Sequence, residues 1–158
     1  MLHEDYRDIF LELFAAQADF LVIGAFAMAG HGMMRTTGDL DLWVRPHPEN
    51  ADRVWAALAR YGAPIGTLTK EELSRPGLFF QIGLAPRRID ILTDIDGVGF
   101  EEAWRERVYR KIDDIRVPVI SRDHLLANKR ATGRPKDQGD IAWIESRMKK
   151  EQQSSDDA

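Results

Sequence analysis

The segment 39–45 alternates polar and apolar residues, and this alternation constrains the fold more than any other feature of the chain. A period of two is typical of a β-strand with one face in a protein core. Three aliphatic side chains then share the buried face, while Asp39 and Asp41 share the other. Their Cα atoms would lie about 7 Å apart, so both carboxylates can lean toward one point.

A short apolar run comes before this strand. Phe20–Ile23 is fully apolar, which is typical of a strand buried on both faces, and Gly24 ends it. Small residues over 25–30 then predict a short helix, and 31–38 predict a loop that leads into the alternating strand. The order of elements therefore places a glycine at the end of one strand and the two aspartates at the start of the next.

A third acidic residue, Asp90, lies in a later apolar segment. Residues 78–84 and 88–93 predict two strands, and the short link between them favours an antiparallel hairpin. In the second strand Ile89 and Ile91 point one way and Asp90 points the other. A carboxylate on a core strand is costly to remove from water, so it needs a partner nearby.

The remaining elements complete a single α+β domain over residues 1–150. We expect a small mixed or antiparallel sheet flanked by helices, with helices also at the C-terminus, and a disordered tail at 151–158. Residues 62–76 are predicted to be a surface connection. Apolar periodicity predicts helices at 6–14, 49–61, 98–104, 121–131 and from 135 onward, and a further strand pair at 108–112 and 115–120.

Composition narrows the class of protein. The chain has 158 residues, 44% of them apolar, which is enough for a globular domain with a core. It contains no cysteine, which excludes disulfides and thiolate zinc sites. No apolar run reaches about 18 residues and the first residues do not form a signal peptide, so we expect a cytoplasmic protein with no membrane partner. The net charge of −4 argues against a dedicated double-stranded nucleic-acid binder.

Asp39 and Asp41 have a spacing that suits a metal ion. Two carboxylates held together repel each other, and the pKa of one rises unless a cation lies between them. Magnesium takes oxygen ligands at about 2.1 Å and leaves room for water and phosphate oxygens. Two plainer interpretations stay open, because the pair can lie on a solvated sheet face and Asp90 can simply pair with Arg88.

Two segments around these aspartates match a known pattern: Val22-Ile23-Gly24-Ala25-Phe26-Ala27-Met28-Ala29-Gly30-His31-Gly32 and Arg35-Thr36-Thr37-Gly38-Asp39-Leu40-Asp41-Leu42. They resemble the nucleotidyltransferase superfamily of DNA polymerase β, and are most similar to its AbiEii-like and related small bacterial members. The resemblance extends over residues 20–93. It implies a Gly-Gly or Gly-Ser loop after the first strand, an Asp-x-Asp metal pair and a third acidic residue on a later strand.

The resemblance assigns roles to the three aspartates. Asp39, Asp41 and Asp90 would bind Mg²⁺, with Mn²⁺ as the alternative ion, and all three would be catalytic. Asp90 would also accept the proton of an attacking hydroxyl. Two metal ions of this kind stabilise the entering and leaving oxygens of an in-line displacement at phosphorus.

The resemblance also implies a set of nucleotide-binding residues. The backbone of Gly24 and Ala25 would contact phosphate, and Arg35 and Thr37 would contribute to the same nucleotide site. Arg35 suits this task because its planar guanidinium matches phosphate geometry. Ala25 departs from the family pattern of Gly or Ser, so a backbone amide is kept and a hydroxyl contact is lost.

A second match lies near the C-terminus. Lys129-Arg130-Ala131-Thr132-Gly133-Arg134-Pro135-Lys136-Asp137-Gln138-Gly139-Asp140-Ile141 resembles the lysine and Arg-x-Lys-Asp-x-x-Asp elements of the same group. Helical periodicity independently places Lys129, Asp137 and Asp140 on inward faces, where they need each other or a ligand. Lys129 is therefore predicted to pin two helices, to bind phosphate as a catalytic residue, or to do both, and both aspartates join the predicted nucleotide site.

The function implied is magnesium-dependent transfer of a nucleoside monophosphate from a nucleoside triphosphate, ATP among them, to an acceptor hydroxyl. The acceptor stays open among RNA or tRNA, protein and a small molecule, and a toxin–antitoxin role with a cognate partner protein is included. The alternative is a catalytically weak nucleotide-binding or interaction module, such as an antitoxin or a partner subunit. His31 beside the loop and Trp43 on the carboxylate face are further candidates for substrate contact, or else an incidental loop residue and a core residue.

Overall fold

The computed structural model describes residues 2–33 and 38–156, which form helices and strands in alternation. The helices are α1 (Glu4–Ala15), α2 (Gly24–Gly30), α3 (Pro48–Tyr61), α4 (Lys70–Leu73), α5 (Phe100–Arg105), α6 (Arg122–Thr132) and α7 (Gln138–Asp156). The strands are β1 (Phe20–Ile23), β2 (Leu40–Val44), β3 (Phe79–Ile82), β4 (Ile89–Leu92), β5 (Val108–Ile112) and β6 (Ile115–Val119). A short 3-10 turn, Pro135–Asp137, leads into α7.

The six strands of the described residues join one mixed sheet in the order β3-β4-β2-β1-β6-β5. β1 pairs antiparallel with β2 and parallel with β6, while β2 pairs parallel with β4. β3–β4 is an antiparallel pair, as its short link predicts, and the strand pair β5–β6 is antiparallel as well. The expectation of a mixed sheet flanked by helices is therefore confirmed.

The core lies around the central strands. Every residue of β1 is buried, as a fully apolar strand requires when helices cover it. On β2 the aliphatic side chains of Leu40, Leu42 and Val44 are completely buried, so the alternation sends its apolar face inward. Burial of this face leaves the side chains of Asp39 and Asp41 on the opposite side, and it fixes the register of the strand.

The segment 62–76, which the sequence predicts to be a surface connection, contains the short helix α4. Its signal is a capping box, in which the Thr69 hydroxyl accepts from the Glu72 amide and the Glu72 carboxylate accepts from the Thr69 amide. Leu73 is completely buried and attaches this turn to the core. The glycines and prolines around this segment are typical of a loop, so the sequence pattern did not predict a helix of one turn.

The last helix is longer than predicted. Residues 151–156 continue α7 as helix, where the sequence predicted a disordered tail, and they are exposed. No glycine or proline interrupts 140–156, and the exposed Glu151 carboxylate accepts two hydrogen bonds from Arg122 on α6. Within the ranges that the structure describes, none of the helices is long and apolar enough to cross a membrane.

Candidate active site

Strand direction brings the predicted carboxylates to one edge of the sheet. β1 ends where its antiparallel neighbour β2 begins, and the parallel strand β4 begins at the same edge. The register pairs Ile23 with Asp41, and Asp41 with Asp90. Gly24, Asp39, Asp41 and Asp90 therefore meet at one rim, here named the carboxylate rim, although they come from three separate segments of the chain.

Gly24 occupies a position that only glycine fits. Its φ of +67° lies in the left-handed region, which side chains with a Cβ rarely adopt. A Cβ placed there would overlap the Asp41 carboxylate and lie 3.2 Å from Asp41 Cγ. The Gly24–Ala25 backbone thus approaches the carboxylate rim closely, and it lines the cavity described below.

Crowding of the carboxylates makes Asp41 a weaker acid. The pKa of Asp41 is raised to about 7, first by burial, then by a hydrogen bond with Asp90 and by repulsion from Asp90 and Asp39. The positive charge of Arg88 opposes this rise. Asp90 itself is only 4% exposed. The rim is therefore a site where negative charge accumulates and where a cation would be stabilised.

Arg88 is the counter-ion of this rim. Its Nη2 donates to Asp39 Oδ2 at 2.7 Å, and its Nε lies 3.0 Å from Asp90 Oδ1. The sequence left open whether Arg88 pairs with Asp90. This ion pair is present, and Arg88 also pairs with Asp39. The Nε–Oδ1 approach lacks hydrogen-bond geometry, so both of these buried atoms are ion-paired without a hydrogen bond.

The three aspartates fit a divalent cation in their chemistry. They supply carboxylate oxygens, which hard ions such as magnesium prefer, and Asp90 Oδ1 is a buried acceptor with unused capacity. Among the residues described, no three acidic or histidine side chains are arranged as the ligands of one ion. The guanidinium of Arg88 lies between Asp39 and Asp90, so convergence on a metal requires this side chain to turn aside.

A second group of charges faces the carboxylate rim across the cavity. Lys129 is 5% exposed, and its Nζ lies 3.2 Å from Asp137 Oδ1 and 3.0 Å from Asp140 Oδ2. Burial would raise the pKa of Asp137, but contacts with Arg134 and Lys129 outweigh it and the pKa lies below its ordinary value. The helix-pinning contact predicted for Lys129 is therefore present, and this cluster is here named the lysine rim.

Local structure explains how the lysine rim forms. Ser121 caps α6 through the His124 amide, and Gly133 ends the helix in the left-handed region. The 3-10 turn then reverses the chain, so that α7 starts beside the last turn of α6. This tight reversal places Lys129 against Asp137 and Asp140.

The two rims line one cavity of about 590 Å³. It contains Gly24, Ala25 and the three aspartates on one side, and Lys129, Asp137 and Asp140 on the other. Eight of the sequence-predicted site residues thus share one cavity. Arg35 and Thr37 lie outside the described residues.

The cavity also includes side chains that the sequence prediction did not assign to the site. Lys136 is exposed at its edge, and Arg134 is half-exposed while paired with Asp137. Phe79 is 55% exposed on the edge strand β3 and forms part of the wall. Asp94 and Asp96 also line it. Lys136 lies within the C-terminal segment that resembles the family, and this resemblance could have assigned it to the site.

His31 and Trp43 lie away from the cavity. The His31 Nε2 is 2.8 Å from the Ile120 carbonyl oxygen, and burial is the main reason that its pKa is lowered. Trp43 is 1% exposed and packs edge-on against Phe100, with ring centroids 5.1 Å apart. Trp43 is therefore a core residue, and neither side chain lines the candidate active site.

Comparison with known proteins gives fold-level matches. No protein-family model and no curated protein sequence matches the chain. Among solved structures, it is similar to a nucleotidyltransferase so designated from Thermotoga maritima, with 13% identity, a TM-score of 0.55, and coverage of 97% of this chain and 96% of that one. It is also similar to the lincosamide antibiotic adenylyltransferase LnuA bound to lincomycin, with 14% identity, a TM-score of 0.59, and coverage of 92% and 98%. The chain therefore has a nucleotidyltransferase-type fold; these matches do not single out the AbiEii-like group.

Proposed function

We propose that the protein is a magnesium-dependent nucleotidyltransferase that transfers a nucleoside monophosphate from a nucleoside triphosphate to an acceptor hydroxyl. The observation that carries the proposal is the meeting of Gly24, Asp39, Asp41 and Asp90 at one rim of a cavity that Lys129, Arg134 and Lys136 also line. The fold supports the same class of reaction. In this proposal the protein acts in the cytoplasm.

The carboxylate rim would hold the metal ion. Asp39, Asp41 and Asp90 are its ligands, magnesium is the ion and manganese the substitute. When bound, the ion supplies positive charge to the oxygens of the phosphoryl group under attack. Asp90, which is the most buried of the three, accepts the proton of the acceptor hydroxyl.

The phosphates would lie between the two rims. The backbone of Gly24 and Ala25 lines the cavity at the carboxylate rim and would approach them from there. Lys129 is already paired with two carboxylates, so its charge is largely neutralised. Lys136, which has no carboxylate partner among the described residues, and the half-exposed Arg134 are therefore the better cations for the triphosphate. Arg35 and Thr37 complete this proposed set.

The acceptor is proposed by class. A cavity of about 590 Å³ is within the range of small-molecule sites, and LnuA is named for adenylyl transfer to lincosamide antibiotics. We therefore place a small hydroxylated molecule first among the acceptors to be tested. RNA or tRNA and a protein hydroxyl follow, the latter including a cognate partner in a toxin–antitoxin pair.

A catalytically weak nucleotide-binding or interaction module is the second candidate. Two observations favour it: Ala25 offers no hydroxyl in the phosphate loop, and Arg88 holds Asp39 and Asp90. A module of this kind would bind nucleotide without turnover, as an antitoxin or partner subunit can. Pyrophosphate release distinguishes the two candidate functions, because only the transferase produces it.

The deciding experiment incubates the protein with magnesium, each labelled nucleoside triphosphate, and in turn a hydroxylated small-molecule library, total RNA and cell lysate. We expect label on one acceptor and stoichiometric pyrophosphate. The Asp39→Asn/Asp41→Asn double variant should abolish both products, whereas Asp52→Asn/Asp123→Asn, two exposed aspartates outside the cavity, should change neither. Nucleotide binding without pyrophosphate would favour the module, and activity in the first double variant would refute the proposed ligands.

A further inference from the structure

Tyr6 is a buried tyrosine that connects four elements at the carboxylate rim. It lies in the first half of α1 and is 3% exposed. Its ring packs edge-on against Phe26 of α2, with centroids 5.6 Å apart. A phenylalanine ring would pack equally well here, so the hydroxyl group needs a separate explanation.

The Tyr6 hydroxyl is directed at the segments that lead into the two carboxylate strands. It donates to the Gly38 carbonyl oxygen at 2.5 Å, immediately before Asp39. It also lies 3.3 Å from the Arg88 carbonyl oxygen and 3.4 Å from that of Pro86, just before β4. One phenol thus contacts the backbone on both sides of the gap between Asp39 and Asp90.

The phenol stays a donor at any ordinary pH. Burial first, and then the negative charges of Asp39 and Asp41, raise the pKa of Tyr6 to about 12. An ionised tyrosine would place a third negative charge beside these carboxylates, which their own charge prevents. The contact with the carbonyl oxygens is therefore independent of pH in the physiological range.

We propose that Tyr6 is a positioning residue whose hydroxyl fixes the leading segments of β2 and β4 against each other, and so sets the spacing of the carboxylate rim. The neighbouring backbone contact depends on the same spacing, because the Leu40 amide donates to the Arg88 carbonyl oxygen at 2.9 Å. Metal ligands keep their geometry through partners of this kind, whose loss typically lowers metal affinity by about 10–100-fold. The role in metal binding rests on the proposed function; the role in strand spacing does not.

The test compares Tyr6→Phe with Tyr61→Phe, which removes the hydroxyl of a half-buried tyrosine outside the cavity. Residue-resolved amide hydrogen exchange is measured at Leu40 and at Arg45, whose amide donates to the Asp19 carbonyl oxygen at 3.1 Å beyond the other end of β2. In Tyr6→Phe the Leu40 amide should exchange about tenfold faster, as loss of one hydrogen bond predicts, and the Arg45 amide should not change. Tyr61→Phe should leave both rates as in the wild type.

Several outcomes would overturn the proposal. Unchanged exchange at Leu40 in Tyr6→Phe shows that the hydroxyl fixes nothing, and equal acceleration at Leu40 and Arg45 shows a general loss of stability. Failure of Tyr6→Phe to fold also contradicts a role confined to the rim. Each result is independent of whether the protein binds metal.

Manganese binding by calorimetry adds the functional readout. Tyr6→Phe should weaken Mn²⁺ binding by about tenfold, with the affinity of Tyr61→Phe unchanged. Equal Mn²⁺ affinity in Tyr6→Phe and the wild type would overturn the positioning role. A wild-type protein that binds no Mn²⁺ would refute the proposed metal site instead, and the exchange comparison would then decide on Tyr6 alone.

Discussion

Asp41 on β2 lies directly opposite Asp90 on β4, in the register of two neighbouring parallel strands. Burial, the hydrogen bond to Asp90 and the repulsion between the carboxylates together raise the pKa of Asp41 to about 7. Asp41 is thus the group of the carboxylate rim whose charge changes near physiological pH. Its ionisation links metal binding and stability to pH.

Metal affinity should rise with pH up to about 7 and then level off. Below that value a cation must displace the proton of Asp41, whereas above it the carboxylate is already ionised. Calorimetry of Mn²⁺ binding at pH 6 in buffers of different ionisation enthalpy should show release of about one proton, and almost none at pH 8. Equal proton release at the two pH values would contradict the assignment of Asp41.

Without metal, the free energy of unfolding should fall as pH rises from about 4 to about 7. The unfolded chain loses the Asp41 proton near its ordinary pKa of 3.8, but the folded protein keeps it until about 7. The folded state then binds more protons in this window, so rising pH favours unfolding, and the effect is complete above the folded pKa. Other groups titrate as well, so the measurement is the difference in urea unfolding between wild type and Asp41→Asn at pH 5 and pH 7.5. Parallel pH profiles for the two proteins would show that Asp41 is not the source.

Gly24→Ala should disrupt the carboxylate rim. The left-handed backbone costs alanine about 1–2 kcal/mol, and the new Cβ must displace the Asp41 carboxylate. We expect a loss of stability of that order and a larger loss of Mn²⁺ and nucleotide affinity. Gly139→Ala is the matched control, since a Cβ there meets nothing within 4 Å and helical alanine is neutral or slightly stabilising. Nucleotide and metal binding retained in Gly24→Ala would contradict the close approach at this glycine.

Arg88→Met should make the protein less stable but more responsive to magnesium. It removes the counter-ion of Asp39 and Asp90, and because Arg88 is one-third exposed we expect a cost of about 1–2 kcal/mol. A metal ion then replaces the missing positive charge without displacing a guanidinium. Thermal unfolding with and without magnesium should show a larger stabilisation in Arg88→Met than in the wild type. Arg87→Met, an exposed neighbour outside the cavity, should behave as the wild type; a reduced magnesium response in Arg88→Met would contradict the counter-ion role.

Substitutions of Lys129 and Lys136 should have different effects: the first on the free energy of unfolding, the second on triphosphate binding. Lys129→Met removes the buried cation between Asp137 and Asp140, and because Arg134 still pairs with Asp137 it should cost about 2–3 kcal/mol in the free energy of unfolding, below the cost of a fully unpaired buried charge. Lys136→Ala should leave stability unchanged and weaken triphosphate binding, because its exposed ammonium has no carboxylate partner among the described residues. Lys111→Ala, an exposed lysine on β5, is the control for general charge loss. Triphosphate affinity that is unchanged in Lys136→Ala and lost with Lys111→Ala would place the phosphates elsewhere.

Much of the architecture was accessible from short-range patterns. The alternation at 39–45 predicted both the strand and the face of its aspartates, and the short link between β3 and β4 predicted their antiparallel pairing. The caps at Ser121 and Gly133 bounded α6. The missed α4 had its own local signal in the capping box of Thr69 and Glu72, and the length of α7 followed from the absence of helix breakers.

The sequence by itself determined which residues carry the chemistry and on which strand face they lie, because side-chain direction follows from a period that a few residues define. Tertiary structure decided their partners. Arg88 reaches Asp39 across 49 positions, Tyr6 reaches Gly38 across 32, and Asp41 meets Asp90 only because β4 adds beside β2 in parallel. Such contacts depend on which strands become neighbours, and that choice is made by burial of the whole core rather than by any local segment.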